Sequence, residues 1–183
     1  MSSRSTQIPA QRGVSLIEAM CALVIVSLTI GGAVPSLASL RQRAELAGAA
    51  AQLETDVQFA RGQAVALNRT VQLSLREANG ATCYIVHTGP AANCVCNSAE
   101  PNTASCSGGA ELLRAVSFAN PGPVQVRSAS KSLTFEPVWG TVTPTATLRV
   151  EARDGQAIHQ VVNLLGRVRS CSPQGRVTGE RAC

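Results

Sequence analysis

A single carboxylate stands at the head of the most apolar stretch of this 183-residue chain, and it limits what the N-terminal segment can become. Glu18 is preceded by Arg12-Gly13-Val14-Ser15-Leu16-Ile17 and followed by predominantly apolar sequence from Ala19 to Val34. Val14 to Val34 reaches the roughly 20 residues that carry a helix across a bilayer. A solitary charge in hydrocarbon is expensive, so Glu18 requires a partner. Two simpler uses of the segment leave the acid unexplained. A secretory signal would take Met1 to Gly13 as its basic region and Ala19 to Ile30 as its apolar region, with a cut near Gly32 or Ala33. Such a region gains nothing from a carboxylate, and the helical pattern runs on past the cut. A plain single-span anchor has no use for Glu18 either.

The coincidence of a short basic leader ending in glycine, a small apolar residue, Glu18 and then the apolar run resembles the processing site of type IV pilins and pseudopilins. In that family a dedicated peptidase cuts after the glycine and methylates the new terminus. The resemblance therefore implies cleavage after Gly13 and methylation of Val14. It also supplies the missing partner: within a membrane-embedded bundle, the Glu18 carboxylate faces the free amino terminus of a neighbouring subunit and sets the register of assembly. Val14 stands where the family most often has phenylalanine, and Ser15 where it often has threonine.

The chain length allows one globular domain beyond this segment. Aromatic residues are only 3% of the chain, which argues against a base-stacking platform. The formal charge of +5 falls by the two arginines Arg4 and Arg12 once a leader ending at Gly13 is removed. What remains is unevenly placed: Arg167, Arg169, Arg176 and Arg181 crowd the C-terminus against one acid, Glu180. Of seven cysteines, Cys21 lies in the apolar segment and six lie beyond it, an even set that reads as disulfides in an exported protein. Cys171 and Cys183 are expected to pair, constraining the unfolded chain by around 3 kcal/mol in a loop-entropy picture. Cys94 and Cys96 are too close to bond each other comfortably, so each is expected to take Cys83 or Cys106. A zinc site would want a histidine near Cys94-x-Cys96, and none is nearby.

Beyond Pro35, which should bend or loosen a helix, Leu46, Ala50, Leu53, Val57, Ala60, Ala64 and Leu67 recur in steps of four and three. That is one stripe of an amphipathic helix, with Glu45, Gln52, Asp56 and Gln63 expected on other faces. From Thr70 the period becomes two, with Val71, Leu73 and Leu75 alternating with Gln72, Ser74 and Arg76. Asn79-Gly80 then turns the chain into Cys83 to His87, a hairpin signature. Thr147 to Glu151, Asp154-Gly155 and Ala157 to Val162 form a second. Leu112 to Phe118, Val124 to Arg127 and Ser132 to Phe135 are shorter strand candidates, and Thr88 to Gly109 reads as an exposed loop held by disulfides. The expected fold is α+β: a long N-terminal helix packed against antiparallel sheet, with a disulfide-stapled C-terminal region.

With these elements in place the resemblance sharpens to the FimT/GspH branch of pilin-like proteins. It rests on the segment from Leu53 to Val65, on Asn68-Arg69-Thr70-Val71, on Leu133 to Pro137 with Gly140-Thr141, and on Leu165-Gly166-Arg167-Val168-Arg169-Ser170-Cys171. It implies a leader over residues 1–13, a transmembrane assembly helix over 14–35, its amphipathic continuation over 36–68 and a β-rich domain over 69–183. It further implies a single-pass inner-membrane protein whose domain lies in the periplasm or on a surface filament. Its partners would be other pilins, the inner-membrane assembly platform, the prepilin peptidase and membrane lipid.

No catalytic constellation, metal ligand set or cofactor motif emerges. His87 and His159 fall in different hairpins and read as ordinary strand residues, and no phosphate-binding glycine loop is present. The arginines alone could add a ligand. Arg167 and Arg169 alternate with Val168 and would leave an extended strand by one face, with Arg176 and Arg181 on the loop closed by Cys171 and Cys183. Planar guanidinium forks suit phosphate. Some FimT-like pilins are thought to capture DNA through arginines in this region, which makes DNA a candidate partner. Lys131 is the single lysine among 16 basic residues, so arginine is this chain's default cation and the same cluster could equally keep the tip soluble or meet acidic neighbours.

Overall fold

The computed structural model describes residues 15–183 apart from 79 and 98; for 29–36 and 78 the backbone is described without the side chain. Among the described residues one α-helix, α1 (Leu16–Leu67), is followed by eleven strands. The helix runs without a break through position 35, whose side chain lies outside the described residues. Two compact units divide the chain, the first ending at Leu40 and the second spanning Arg41–Cys183.

In the first unit, Leu16, Ile17, Ile25, Val26 and Leu28 are all exposed, although they point around the whole circumference of the helix. A helix apolar on every side is suited to lipid or to other helices rather than water. Ser15 sits at its start, where its hydroxyl accepts the backbone N–H of Glu18 at 3.3 Å. Among the described residues no helix is long and apolar enough to cross a membrane. Positions 29–36, which would complete the expected span, carry no described side chains.

In the second unit the stripe Leu46, Ala50, Leu53, Val57, Ala60 and Ala64 is buried to the last residue, while Leu67, where the helix ends, is 39% exposed. Asn68 adopts the left-handed backbone (φ 50°) that closes a helix, and the Arg69 N–H returns to the Ala64 carbonyl at 3.2 Å. Two antiparallel sheets cover the stripe. One has the order β5 (Leu112–Phe118), β2 (Ala81–Thr88), β1 (Val71–Ala78), β7 (Ser132–Phe135), β8 (Val142–Thr143). The other runs β11 (Val168–Cys171), β10 (Ala157–Val162), β9 (Ala146–Ala152), β6 (Val124–Ser128). Both expected hairpins are present, with Ala78 opposite Ala81 and Ala157 opposite Glu151. Gly155 (φ 80°) supplies the left-handed turn residue of the second.

Four sequence expectations need correction. Asp56, expected on a face other than the apolar stripe, is 0% exposed. It accepts the Tyr84 hydroxyl at 2.6 Å and pairs with the Arg114 guanidinium, so its charge is compensated where it is buried. Ser74, expected on the side of β1 opposite Val71, Leu73 and Leu75, is also buried, and it bonds His87 across the pair of strands at 2.9 Å. His87, read as an ordinary strand residue, is correspondingly fully buried. Finally, the loop from Thr88 to Gly109 contains a 3-10 turn (Ala91–Asn93) and a hairpin of β3 (Cys94–Cys96) and β4 (Ala104–Cys106). Cys94 in that hairpin is buried. Its strands are three residues long and poor in apolar side chains, so disulfides Cys94–Cys106 across it and Cys83–Cys96 to β2 hold what packing alone would not.

Candidate functional site

Two places carry the candidate residues, the start of α1 and the C-terminal end of the second unit. At the first, Gly13 and Val14 lie outside the described residues. Glu18 is exposed and occupies the third helical position after Ser15. Ser15-Leu16-Ile17-Glu18 thus has the spacing of a capping box, and the acid also meets the positive end of the helix dipole. This local benefit was not read from the sequence, although the spacing was there to be seen.

At the C-terminal end, Asn163 organises the turn between β10 and β11. Its carbonyl accepts the Gly166 N–H at 2.9 Å and its side-chain oxygen accepts the Arg167 N–H at 2.9 Å. Arg167 therefore stands in the turn, one residue ahead of the strand, and Arg169 lies within it; both are exposed. Val168 and Ser170 face inward, and the Ser170 hydroxyl donates to Gln160 Oε1 at 2.8 Å. Past β11 the chain loops back so that Ser172 N–H donates to the Arg181 carbonyl at 2.7 Å, and the Cys171–Cys183 disulfide fixes the return with Cα atoms 5.0 Å apart. The loop brings Arg181 beside Arg169 on an open groove of about 530 Å³, lined also by Val161, Ser170 and Cys171. Arg176 is exposed on the same loop but does not line this groove. Among the described residues none of the four arginines has an acidic partner.

A second arrangement joins the turn before β11 to the one before β8. Arg61 of α1 donates Nε–H to the Gly140 carbonyl at 3.0 Å, and Gln58 donates to the Gly166 carbonyl at 3.0 Å. A side chain at Gly140 (φ 60°) or Gly166 (φ 71°) would collide with Arg61. The clamp presents Val138, Leu164, Leu165 and the chain's single tryptophan, Trp139, which is 80% exposed. Spacing alone did not single out Arg61, because its partner is a backbone carbonyl 79 residues away.

The ionisable groups of the interior are structural. His87 Nδ1–H donates to the Thr88 carbonyl at 3.0 Å, so in the neutral ring Nε2 is the acceptor for the Ser74 hydroxyl. Burial lowers the His87 pKa, with the Arg76 charge adding to the effect against the Thr88 bond. The Ser–His pair resembles a nucleophile and its base, but both groups are completely buried. Tyr84 is pushed well above the ordinary phenol range by burial first and then by its bond to Asp56. On the outer surface, partial burial and then the Arg149 charge lower the His159 pKa.

Residues 49–166, well over half of the chain, match the family described as Type II transport protein GspH. The chain belongs to the type IV pilin-like proteins of the GspH/FimT kind. Residues 8–34 match the Prokaryotic N-terminal methylation motif, which covers Gly13, Val14 and Glu18. No curated protein and no solved structure matches the chain. Membership makes it a minor pilin or pseudopilin, a structural subunit type that is processed by prepilin peptidase, is anchored by its N-terminal helix and assembles with other pilins.

Proposed function

We propose that this pilin-like subunit sits in the inner membrane through residues 14–35 and projects its β-rich domain into the periplasm for incorporation into a filament. Prepilin peptidase removes residues 1–13, leaving a methylated amine on Val14. The Glu18 carboxylate of one subunit then pairs with that amine on the next, while lipid and neighbouring helices cover the apolar side chains now exposed around the helix. In this reading the C-terminal end captures DNA in the FimT manner. The observation that carries it is the groove where Arg169 and Arg181 meet without an acid, with Arg167 and Arg176 exposed on the flanking turn and loop. Four unpaired guanidinium groups on a disulfide-fixed scaffold favour successive phosphates and supply no base-edge readout, so binding is indifferent to sequence.

The test is a duplex titration of the oxidised full chain in non-ionic detergent. Binding is expected at low salt, with a steep loss as salt rises, and Arg167→Gln with Arg169→Gln weakens it at unchanged thermal stability. Equal binding by the double variant would remove these arginines from the site. A second reading, a minor pseudopilin of type II secretion that contacts other subunits or cargo without DNA, is favoured by the exposed Val138, Trp139, Leu164 and Leu165. Such a patch suits a protein neighbour better than a phosphate backbone.

A further inference from the structure

The outer face of the four-stranded sheet carries arginines that the C-terminal cluster does not account for. In β6 and β9 the alternation Val126-Arg127 and Leu148-Arg149-Val150 buries the apolar residues and turns both arginines outward. The register then places Arg127 directly opposite Arg149, Arg149 opposite His159, and His159 opposite Cys171. Like charges directly opposed on neighbouring strands repel and destabilise the sheet. Glu151 is the one acid among the outward residues of these strands, and its register partners are Gln125 and Ala157 rather than either arginine. Arg127 gives one bond to Gln125 Oε1 at 3.0 Å, and neither it nor Arg149 has an ion pair among the described residues. Partial burial and then the Arg149 charge lower the His159 pKa, with Glu151 opposing them.

This row joins two grooves. At the β6 edge, Arg127 and Lys131 line an open groove of about 460 Å³, with Arg76 and one acid, Glu77. At the β11 edge lies the groove of Arg169 and Arg181. Arg169 is two strands across and two residues along from Arg149, about 12 Å away for ordinary strand spacing and rise. The two phosphate rows bordering the major groove of a duplex are separated by a similar width, ~12 Å. An anionic membrane could also meet a basic face, but such surfaces insert large apolar side chains. Among the outward residues of these strands, only Val161 approaches that size.

We propose that the outer face of the four-stranded sheet is a duplex-DNA track, along which Arg127 and Arg149 extend the C-terminal arginine site from β11 to the β6 edge. The inference rests on the DNA-capturing reading and adds a surface and two residues to it. Its test measures duplex affinity against salt for the oxidised full chain in non-ionic detergent. Variants are Arg127→Gln with Arg149→Gln, Arg127→Lys with Arg149→Lys, and Arg69→Gln as a basic site elsewhere. The glutamine pair should lose about tenfold in affinity and flatten the slope of log K against log salt by about 1.8, two contacts at ~0.9 each. The lysine pair should keep the slope, and Arg69→Gln should change neither quantity. Wild-type binding with an unchanged slope in the glutamine pair would overturn the track and leave the C-terminal site standing. No duplex binding by wild type at low salt would overturn both. Binding instead to phosphatidylglycerol vesicles, dependent on Arg127 and Arg149, would reassign the face to lipid.

Discussion

The two halves of α1 are built on the same backbone but differ in where their apolar side chains find cover. From Arg41 onward the helix concentrates them in one stripe, Leu46 to Ala64, and its own sheets bury that stripe completely. Before Leu40 they are spread around the helix, and among the described residues they remain exposed. One half is covered within the chain; in the proposed reading, lipid and neighbouring helices cover the other. The distinction separates stability from assembly: changes in the second unit should register in unfolding, and changes at the start of α1 should register in incorporation.

The largest effect expected on the stability side is at Asp56. Asp56→Ala leaves Arg114 without its carboxylate and Tyr84 without its acceptor, and should cost about 3 kcal/mol in chemical denaturation of the oxidised chain. A loss below about 1 kcal/mol would mean that water replaces the carboxylate. Removing the C-terminal staple with Cys171→Ser and Cys183→Ser should cost about 2–3 kcal/mol in the same measurement, since the disulfide closes a separation of 12 residues. It should also weaken duplex binding, because the disulfide fixes the return that seats Arg181 beside Arg169.

Histidine 87 gives a smaller, pH-dependent contribution. Its pKa is lowered in the folded protein, so below about pH 6.5 the unfolded chain takes up the proton first and stability falls with pH. The slope should approach ~1.4 kcal/mol per pH unit until the folded pKa is reached. In His87→Gln that part of the slope should vanish below about pH 6.5. An unaltered slope would place the titration elsewhere. The smallest effect belongs to the other half of the helix: Ser15→Ala should cost about 1 kcal/mol of local helix stability. Hydrogen exchange should show faster amides over the first turn of α1, with the second unit's protection unchanged.

The sequence disclosed whatever depended on local period or local turn chemistry. The helical stripe, both hairpins and the three shorter strands follow from spacings of three to four or of two, and these survive in the folded chain. Features that depend on long-range pairing were hidden. Asp56 looks like a solvated helix residue until Tyr84 and Arg114 arrive from strands 28 and 58 residues away. The β3–β4 hairpin has too few apolar side chains to announce itself and is defined by its cysteines. At the candidate site, alternation around Val168 indicated two outward arginines, but the Arg127–Arg149 row needs a register that no single segment contains. Conversely, Ser15 and Glu18 form a local motif that was present in plain view, overshadowed by the acid's proposed role between subunits.

The central claim is that Glu18 is placed to meet the amine of a neighbouring subunit, and Glu18→Ala measured by filament incorporation tests it most directly. Mass spectrometry of the membrane-extracted variant should find the terminus at Val14, methylated, with the second unit's unfolding unchanged. Incorporation, measured as the variant's share in purified filaments against wild type, should fall at least tenfold. Incorporation at the wild-type level with a correctly processed terminus would contradict the account, because the capping role at the helix start would then be all that Glu18 does.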